Sequence, residues 1–127
     1  MKLLTFLHQG QSKIGAVVDH SIVVATGNID HADTMIAFLT SGANGLNALQ
    51  NLMDSGNHRI NLADVTLQAP IPRPGKLLGI GLNYADHIGE TGLEKPEYPT
   101  FFTKQSTCVI ADGEAIHSPK VSDKVDY

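Results

Sequence analysis

The 127-residue chain has little of what usually indicates a protein's compartment or its macromolecular partners. Its single cysteine, Cys108, cannot form an internal disulfide and is compatible with a reducing compartment. No run approaches the roughly 18 apolar residues of a membrane span, and the apolar start of the chain is too short for a signal peptide. With a formal net charge of −4 and no basic patch, the chain is not expected to bind nucleic acid or anionic membranes. These absences favour a cytoplasmic protein.

Several common catalytic and cofactor-binding motifs are missing as well. Gly79 and Gly81 follow a predicted strand, but Tyr84 occupies the position where a dinucleotide-binding fingerprint has its third glycine. The sequence has neither a phosphate-binding loop nor the Gly-x-Ser-x-Gly elbow of serine hydrolases. Its six histidines do not have the spacing of a histidine-rich metal centre. The two glycines instead predict a sharp turn at which the backbone can approach a ligand closely.

The apolar residues that are present recur in patterns that predict an α+β fold. Hydrophobic residues make up 42% of the chain and charged residues 17%, which is typical of a globular protein with a core. Three strands open the chain as an antiparallel meander, followed by two helices and another strand. The predicted elements of this part are the strands Lys2–His8, Lys13–Asp19, Ser21–Ala25 and Asp64–Gln68 and helices through Met35–Leu39 and Leu46–Met53.

A proline-rich segment predicts a domain boundary. Between Ala69 and Gly75 the chain has three of its six prolines, which remove backbone donors and favour extended conformation. We therefore expect a small domain over residues 1–70 and a second over 71–127. The second is short for an independent core, because chains of about 60 residues are already marginal. Its predicted elements are strands at Lys76–Ile80, Thr100–Lys104, Thr107–Ile110 and Ala115–His117 and a helix that begins near Tyr84.

The candidate active site is the run Gly79–Glu90, which combines a turn with the start of a helix. Asn83 can cap this helix or belong to the site itself, and Gly92 is expected to end it. His87 and Glu90 are three residues apart and would share a helix face. A carboxylate can orient such an imidazole and make it a stronger base for activating water. The same pair can also be an ordinary surface pair, which contributes only some tenths of a kcal/mol.

Four separated blocks of the second half resemble the fumarylacetoacetate hydrolase family, in particular its bacterial members of modest size. The blocks occur in the family's order, and residues 1–75 resemble only its variable N-terminal domain. The resemblance implies a small N-terminal α/β domain followed by the beginning of a catalytic domain built on a mixed β-roll. The blocks are Lys76–Gly92, the segment from Pro96 through Tyr98–Lys104, Ile116–Pro119 and Val125–Tyr127.

The resemblance also implies a chemistry. Members of this family act on small 2-oxo acids and 1,3-dicarbonyl compounds such as acylpyruvates, by hydrolysis, decarboxylation, hydration or isomerisation. A divalent ion, Mg²⁺ or in its place Mn²⁺ or Ca²⁺, chelates the substrate. His87 and Glu90 match the pair that activates water in a flexible lid helix, and Lys104 matches a lysine that can pair with a substrate carboxylate or lie on the surface. The complete enzyme is expected to form a homodimer.

One departure from the family concerns the metal. In this family the first metal-binding carboxylates come directly after the Asp-Tyr pair that corresponds to Asp126 and Tyr127, and no metal ligand is predicted within the 127 residues. The chain is therefore expected to be the N-terminal part of such an enzyme and inactive alone. The alternative is a non-catalytic, truncated paralogue that serves as an interaction or assembly module. Cys108, in an apolar strand-like run, is expected to be a buried structural thiol.

Overall fold

The computed structural model describes residues 1–92 and 94–122, except for the side chains of His87 and Thr91. The predicted block Val125–Tyr127 therefore lies outside the described residues. Contacts divide the chain into two compact units, one of Met1–Pro70 with the segment that begins at Ile110, and one of Ile71–Val109. Within the described residues, no helix has the length and apolar character needed to cross a membrane.

The first unit is built on a five-stranded antiparallel sheet in the order β4-β3-β2-β1-β5. The predicted meander of the first three strands is confirmed. The sequence did not predict β4, because a strand of three residues with one apolar side chain shows no measurable alternation. The strands are β1 Lys2–His8, β2 Gln11–Val18, β3 Ser21–Val24, β4 Arg59–Asn61 and β5 Thr66–Gln68.

Both faces of the sheet carry buried apolar side chains: Ile14, Ala16 and Val23 share one face, and a cluster of four residues lies on the other. Side chains two positions apart on a strand point to the same face, and Leu4 and Phe6 of β1 cluster there with Ile22 and Val24 of β3. Phe6 is completely buried. Four partly buried residues pack around this cluster, and burial of these side chains helps to stabilise the unit. They are Val17, Ile60, Leu62 and Val65.

Two helices follow β3, as the sequence predicts, and lead to β4. Helix α1 covers Met35–Thr40, and the hydroxyl of its N-cap Thr34 accepts a hydrogen bond from the Ala37 backbone N–H. Helix α2 covers Ala43–Ser55 and ends at Gly56, whose left-handed conformation is the usual helix stop. Helix α2 contacts β2 and therefore packs on the sheet.

A hydrogen bond fixes the end of the first unit. Thr5 on β1 is 4% exposed, and its hydroxyl donates to the carbonyl oxygen of Pro70 at 2.6 Å. This bond holds the start of the proline-rich segment against the central part of the sheet. The two predicted domains, 1–70 and 71–127, remain a prediction, and by contacts the segment from Ile110 groups with the first unit.

The second unit contains a two-stranded antiparallel sheet and one short helix. Strand β6 covers Leu77–Gly81, helix α3 covers Ala85–Thr91, and strand β7 covers Thr100–Lys104 and pairs with β6. The predicted strand–helix–strand order of this segment is confirmed. All hydrophobic residues that are buried in the described part of the chain belong to the first unit. The described part of the second unit therefore has no buried apolar core of its own.

Two of the predicted strands are absent from the described residues. Residues Ser106–Cys108 form a turn of 3₁₀ helix instead of a strand, closed by a bond from the Cys108 N–H to the Gln105 carbonyl. Ala115–His117 has no strand conformation. Both segments have apolar residues but no partner strand, and a strand needs one. Cys108 is exposed, so the expectation of a buried thiol was wrong.

Candidate functional site

The turn between β6 and α3 is made by a leucine and not by the glycines. Leu82 has a φ of +50°, a left-handed conformation that is costly for a bulky side chain. Neither Gly79 nor Gly81 has a positive φ, so the predicted role of these glycines in the turn was wrong. A Cβ atom at Gly79 would overlap the ring of Phe102 on the paired strand. Gly79 therefore makes room for an aromatic side chain.

Asn83 belongs to a cleft and does not cap the helix. The N-cap of α3 is Tyr84, with extended backbone and no side-chain capping bond. The capping interpretation of Asn83 was therefore wrong, because the helix begins one residue later than expected. Its exposed side chain lines a cleft beside the helix.

The cleft has a volume of about 420 Å³ and lies within the second unit. Its wall combines the end of β6, the start of α3 and the loop before β7. Apolar side chains form part of it, and the polar groups are an amide, an ammonium, a carboxylate and a phenol. Such a mixture can hold a small polar molecule in one orientation. The lining residues are Ile80, Leu82, Asn83, Ala85, Ile88, Lys95, Pro96, Glu97, Tyr98 and Pro99.

His87 and Glu90 both lie on α3, the helix that borders the cleft. The predicted helix stop is confirmed, since Gly92 is the C-cap with a φ of +66°. Glu90 is exposed, whereas the side chain of His87 lies outside the described residues. The structure therefore places the two positions on one short helix, and the pairing of their side chains remains a prediction.

Lys104 lies at the other end of the two-stranded sheet. In the register, Gly81 is opposite Thr100 and Leu77 is opposite Lys104. Four residues of extended strand span about 13 Å, so this distance separates the two ends of β7. Lys104 is exposed there, beside Lys76 and Gln105. The structure thus brings Asn83 together with α3 but places Lys104 away from both.

Three polar residues of the cleft were not among the predicted site residues. Lys95, Glu97 and Tyr98 come from the loop that joins α3 to β7. Sequence reasoning assigned this loop no role, because charged and proline-rich loops are usually solvated. The available signal was topological: β6 and β7 pair antiparallel, so the end of β6 lies next to the start of β7 and to the loop before it.

A larger cleft, of about 670 Å³, lies in the first unit and contains none of the predicted site residues. Its walls are a loop after β3 and the polar side of α2. It is lined by Asn28, Ile29, Asp30, His31, Ser41, Asn44, Gly45, Ala48, Asn51, Leu52 and Ser55. Size alone does not identify a site, and the predicted chemistry lies in the second unit.

No metal centre is formed by the residues that the structure describes. Among them, no group of three His, Cys, Asp or Glu side chains is placed to hold an ion. The described residues therefore do not provide the ligand set that the family resemblance implies for a divalent ion.

The two glycines of α3 permit a test of its stability. A Cβ at Gly89 would meet no atom within 4 Å, whereas Gly92 has a positive φ. We expect Gly89→Ala to stabilise the helix by about 0.5–1 kcal/mol and Gly92→Ala to destabilise it by a similar amount. Hydrogen exchange of the Ile88 amide, which donates to the Tyr84 carbonyl at 3.1 Å, measures this equilibrium. Protection should rise about two- to fivefold in the first variant and fall in the second. Equal protection in both variants would contradict a helix here.

Comparison with known proteins gives a consistent set of relatives. Residues 76–127 match the family model described as fumarylacetoacetate (FAA) hydrolase C-terminal. The mitochondrial oxaloacetate tautomerase fahd2 of Xenopus laevis is 32% identical over 93 residues, which are 73% of this chain and 29% of that protein. A putative hydrolase of Burkholderia ambifaria is 33% identical over 137 residues, which cover 100% of this chain and 44% of that protein.

Two solved structures have a similar fold. The fumarylacetoacetate hydrolase of Exiguobacterium antarcticum has a TM-score of 0.59 at 24% identity, covering 87% of this chain and 37% of that one. The maleylpyruvate hydrolase of Sphingobium sp. SYK-6, in complex with manganese(II) and pyruvate, has a TM-score of 0.55 at 23% identity, covering 84% and 38%. The chain spans less than half the length of the proteins it matches.

Proposed function

Because the chain belongs to the fumarylacetoacetate hydrolase family, we propose that it forms the part of a small-acid enzyme that carries the water-activating base. The substrate is a 2-oxo acid or 1,3-dicarbonyl compound of the acylpyruvate type. Relatives named for oxaloacetate and maleylpyruvate, which are 2-oxo acids, support this substrate class. The observation that carries the proposal is the cleft bordered by α3, with Asn83 and Lys95 in its wall.

The charges of the cleft suggest how such a substrate is oriented. A 2-oxo acid carries a carboxylate, which the ammonium group of Lys95 attracts and the carboxylate of Glu97 repels. The amide of Asn83 can donate a hydrogen bond to the keto oxygen. Of the two lysines considered, Lys95 is the one that lies in the same cleft as Asn83. In this proposal Lys95 supplies the positive charge that the family resemblance implies for Lys104.

In this proposal His87 is the general base and Glu90 orients it. For hydrolysis of an acylpyruvate, the imidazole takes a proton from water while the water oxygen attacks the acyl carbonyl carbon. The carbon–carbon bond then breaks, and the leaving carbon is protonated to give pyruvate and a carboxylic acid. For tautomerisation, the same base moves a proton between carbon and the enol oxygen, and no water is consumed. Both reactions need a base near neutral pH, which histidine provides.

The family's divalent ion would stabilise negative charge on the substrate oxygens when bound. The complex of the maleylpyruvate hydrolase with manganese supports an ion of this kind. We propose that its ligands are supplied by residues outside the 127 of this chain, so that the chain alone does not turn over substrate.

The proposal is tested by comparing the 127-residue polypeptide with a completed enzyme. The completed enzyme joins this chain to the part that the Burkholderia ambifaria relative carries outside the shared stretch. Oxaloacetate tautomerisation and acylpyruvate cleavage are followed with Mg²⁺, with Mn²⁺ and with a chelator. We expect turnover only in the completed enzyme and only with an ion. Turnover by the polypeptide alone that is lost on His87→Ala would contradict the assignment of the ligands, and a completed enzyme inactive on every 2-oxo acid would contradict the substrate class.

A second candidate function is an interaction or assembly module without catalysis. The absence of buried hydrophobic residues from the described part of the second unit favours it, because such a unit needs a partner to cover its apolar side chains. A module forms a defined complex but gives no metal-dependent turnover. Size-exclusion chromatography with light scattering, combined with the assays above, separates the two functions.

A further inference from the structure

The cleft of about 670 Å³ in the first unit, called the first-unit cleft below, lies between α2 and the loop after β3. Thr26 fixes this loop, because its hydroxyl accepts a hydrogen bond from the Ile14 N–H and donates one to the Ala32 carbonyl, both at 2.8 Å. Within the loop, His31 lines the cleft with a φ of +59°, which is uncommon for a residue other than glycine. One wall of the cleft is therefore preformed, so a ligand loses little free energy in ordering it.

The other wall presents two asparagine side chains on α2. Asn44 and Asn51 line the cleft and are exposed, and neither side chain makes a hydrogen bond to the part of the chain that the structure describes. Seven residues are almost two full turns of helix, so the two amides lie on the same face, about 10.5 Å apart along the axis. Ala48 lies between them, and its short side chain leaves room for a ligand.

The spacing of these amides matches the repeat of a polyproline II chain. An asparagine amide has N–H donors and a carbonyl acceptor, so it can pair with the N–H and C=O of one peptide residue. A polyproline II chain has three residues per turn and rises about 3.1 Å per residue, so every third residue faces the same side at intervals of about 9 Å. The wall from Asn44 to Ser55 is about 16 Å long, which accommodates roughly five such residues. A peptide of this length can therefore bond both asparagines through its backbone.

The charges of the first-unit cleft select the side chains of such a peptide. The lining contains one carboxylate, Asp30, and no lysine or arginine. Asp30 repels an acidic side chain and attracts an arginine or lysine. A 2-oxo acid, which is the substrate class of the proposed function, is a poor ligand here for the same reason. The chemistry of this cleft is thus the opposite of that expected around Lys95 in the second unit.

We propose that the first-unit cleft is a docking site for a basic, proline-containing segment of another protein, bound in polyproline II conformation. The two asparagines bind its backbone, and Asp30 selects a positive charge. Prolines at the positions that face away from α2 hold the segment in this conformation before it binds, which reduces the entropy lost on binding. The inference goes beyond the proposed function and does not depend on turnover.

The experiment titrates the isotope-labelled 127-residue chain with the end-blocked hexapeptide Pro-Ala-Pro-Arg-Ala-Pro and follows the amide resonances by NMR. Its alanines are three residues apart, as the two asparagines require. We expect saturable shifts of the side-chain amides of Asn44 and Asn51 and of the backbone amides of residues 28–31. Glutamate in place of arginine should weaken binding about fivefold or more. Proline in place of both alanines removes two backbone donors and should weaken it by a similar factor.

Variants of the chain test the residues that carry the inference. Asn44→Ala and Asn51→Ala should each weaken binding of the arginine peptide at least about fivefold, the effect of losing one or two hydrogen bonds. Asp30→Asn should abolish the preference for arginine over glutamate. The matched control is Asn47→Ala, since Asn47 is exposed on the same helix and does not line the cleft. Alanine favours helix, so the three α2 variants should remain folded.

Each outcome has a defined meaning. Absence of saturable shifts at millimolar peptide overturns the inference, as does equal binding of the arginine and glutamate peptides. It is also overturned if Asn47→Ala weakens binding as much as Asn51→Ala does. If the same resonances shift with the concentration of the chain alone, and Arg73→Glu in its proline-rich segment abolishes this shift, the occupant is a second copy and the inference is wrong. Peptide binding in the expected order supports the inference even where the completed enzyme is inactive, an outcome that rejects only the proposed function.

Discussion

Replacing His87 with glutamine in the completed enzyme is expected to lower kcat by about 10²- to 10⁴-fold, which is the usual contribution of a general base. Glutamine keeps a polar side chain of similar length but cannot accept a proton at neutral pH. In the proposed mechanism substrate binding depends on the other residues of the cleft, so KM should change little. Steady-state kinetics on oxaloacetate and an acylpyruvate measure both constants.

The control for this prediction is His20→Gln. His20 is exposed in the turn between β2 and β3, in the first unit, and its backbone carbonyl accepts a hydrogen bond from the Leu62 N–H. Its replacement should leave kcat and KM unchanged. Glu90→Gln should cause a smaller loss than His87→Gln, since in the proposed mechanism Glu90 acts through the imidazole and is a positioning residue. Unreduced kcat after His87→Gln would show that another group is the base.

Replacing Phe6 with alanine is expected to destabilise the protein by about 3–5 kcal/mol. Phe6 is 0% exposed at the centre of the cluster with Leu4, Ile22 and Val24, and its loss leaves a cavity that these residues cannot fill. The effect is a large part of the 5–15 kcal/mol that is typical of a domain. Urea denaturation followed by far-UV circular dichroism gives the change in the free energy of unfolding.

The matched control is the same substitution at Phe101. In the 127-residue chain this side chain is 64% exposed, so Phe101→Ala should change the free energy of unfolding by less than about 0.5 kcal/mol. A Phe6→Ala variant as stable as the parent would mean that the core of the first unit is not where the structure places it. An equal loss at Phe101 would mean that this side chain is covered in the chain itself.

Local signals in the sequence were sufficient for most of the first unit. The alternation in Lys2–His8 predicts β1 with its observed bounds, and Gly56 predicts the end of α2. These elements are determined by side chains a few residues apart. By contrast, the pairing of β4 with β3 requires residues 59–61 to lie beside residues 21–23, which are far away in the sequence. Pairing over such a distance leaves no pattern in a segment of three residues.

The site was predictable in part for the same reason. A helix bounded by Gly92 could be located from the sequence, and so could Asn83 near its start. The position of Lys104 could not be predicted from the sequence, because it depends on the register of β7 against β6. The turn at Leu82 could not be predicted either, since no local rule places a leucine at positive φ. That conformation is imposed by the strand before it and the helix after it.

The strand order of the first unit has a consequence for biosynthesis. Strand β1 lies between β2 and β5, and Leu7 pairs on one side with Ser12 and on the other with Thr66. At about 5–20 residues per second, a ribosome needs roughly 3–12 s to extend the chain from the first strand to the fifth. During this interval the outer backbone groups of β1 have no partner within the nascent chain and are accessible to other nascent polypeptides. A chaperone that shields this strand until residue 68 has left the ribosome would therefore protect the sheet from wrong pairing.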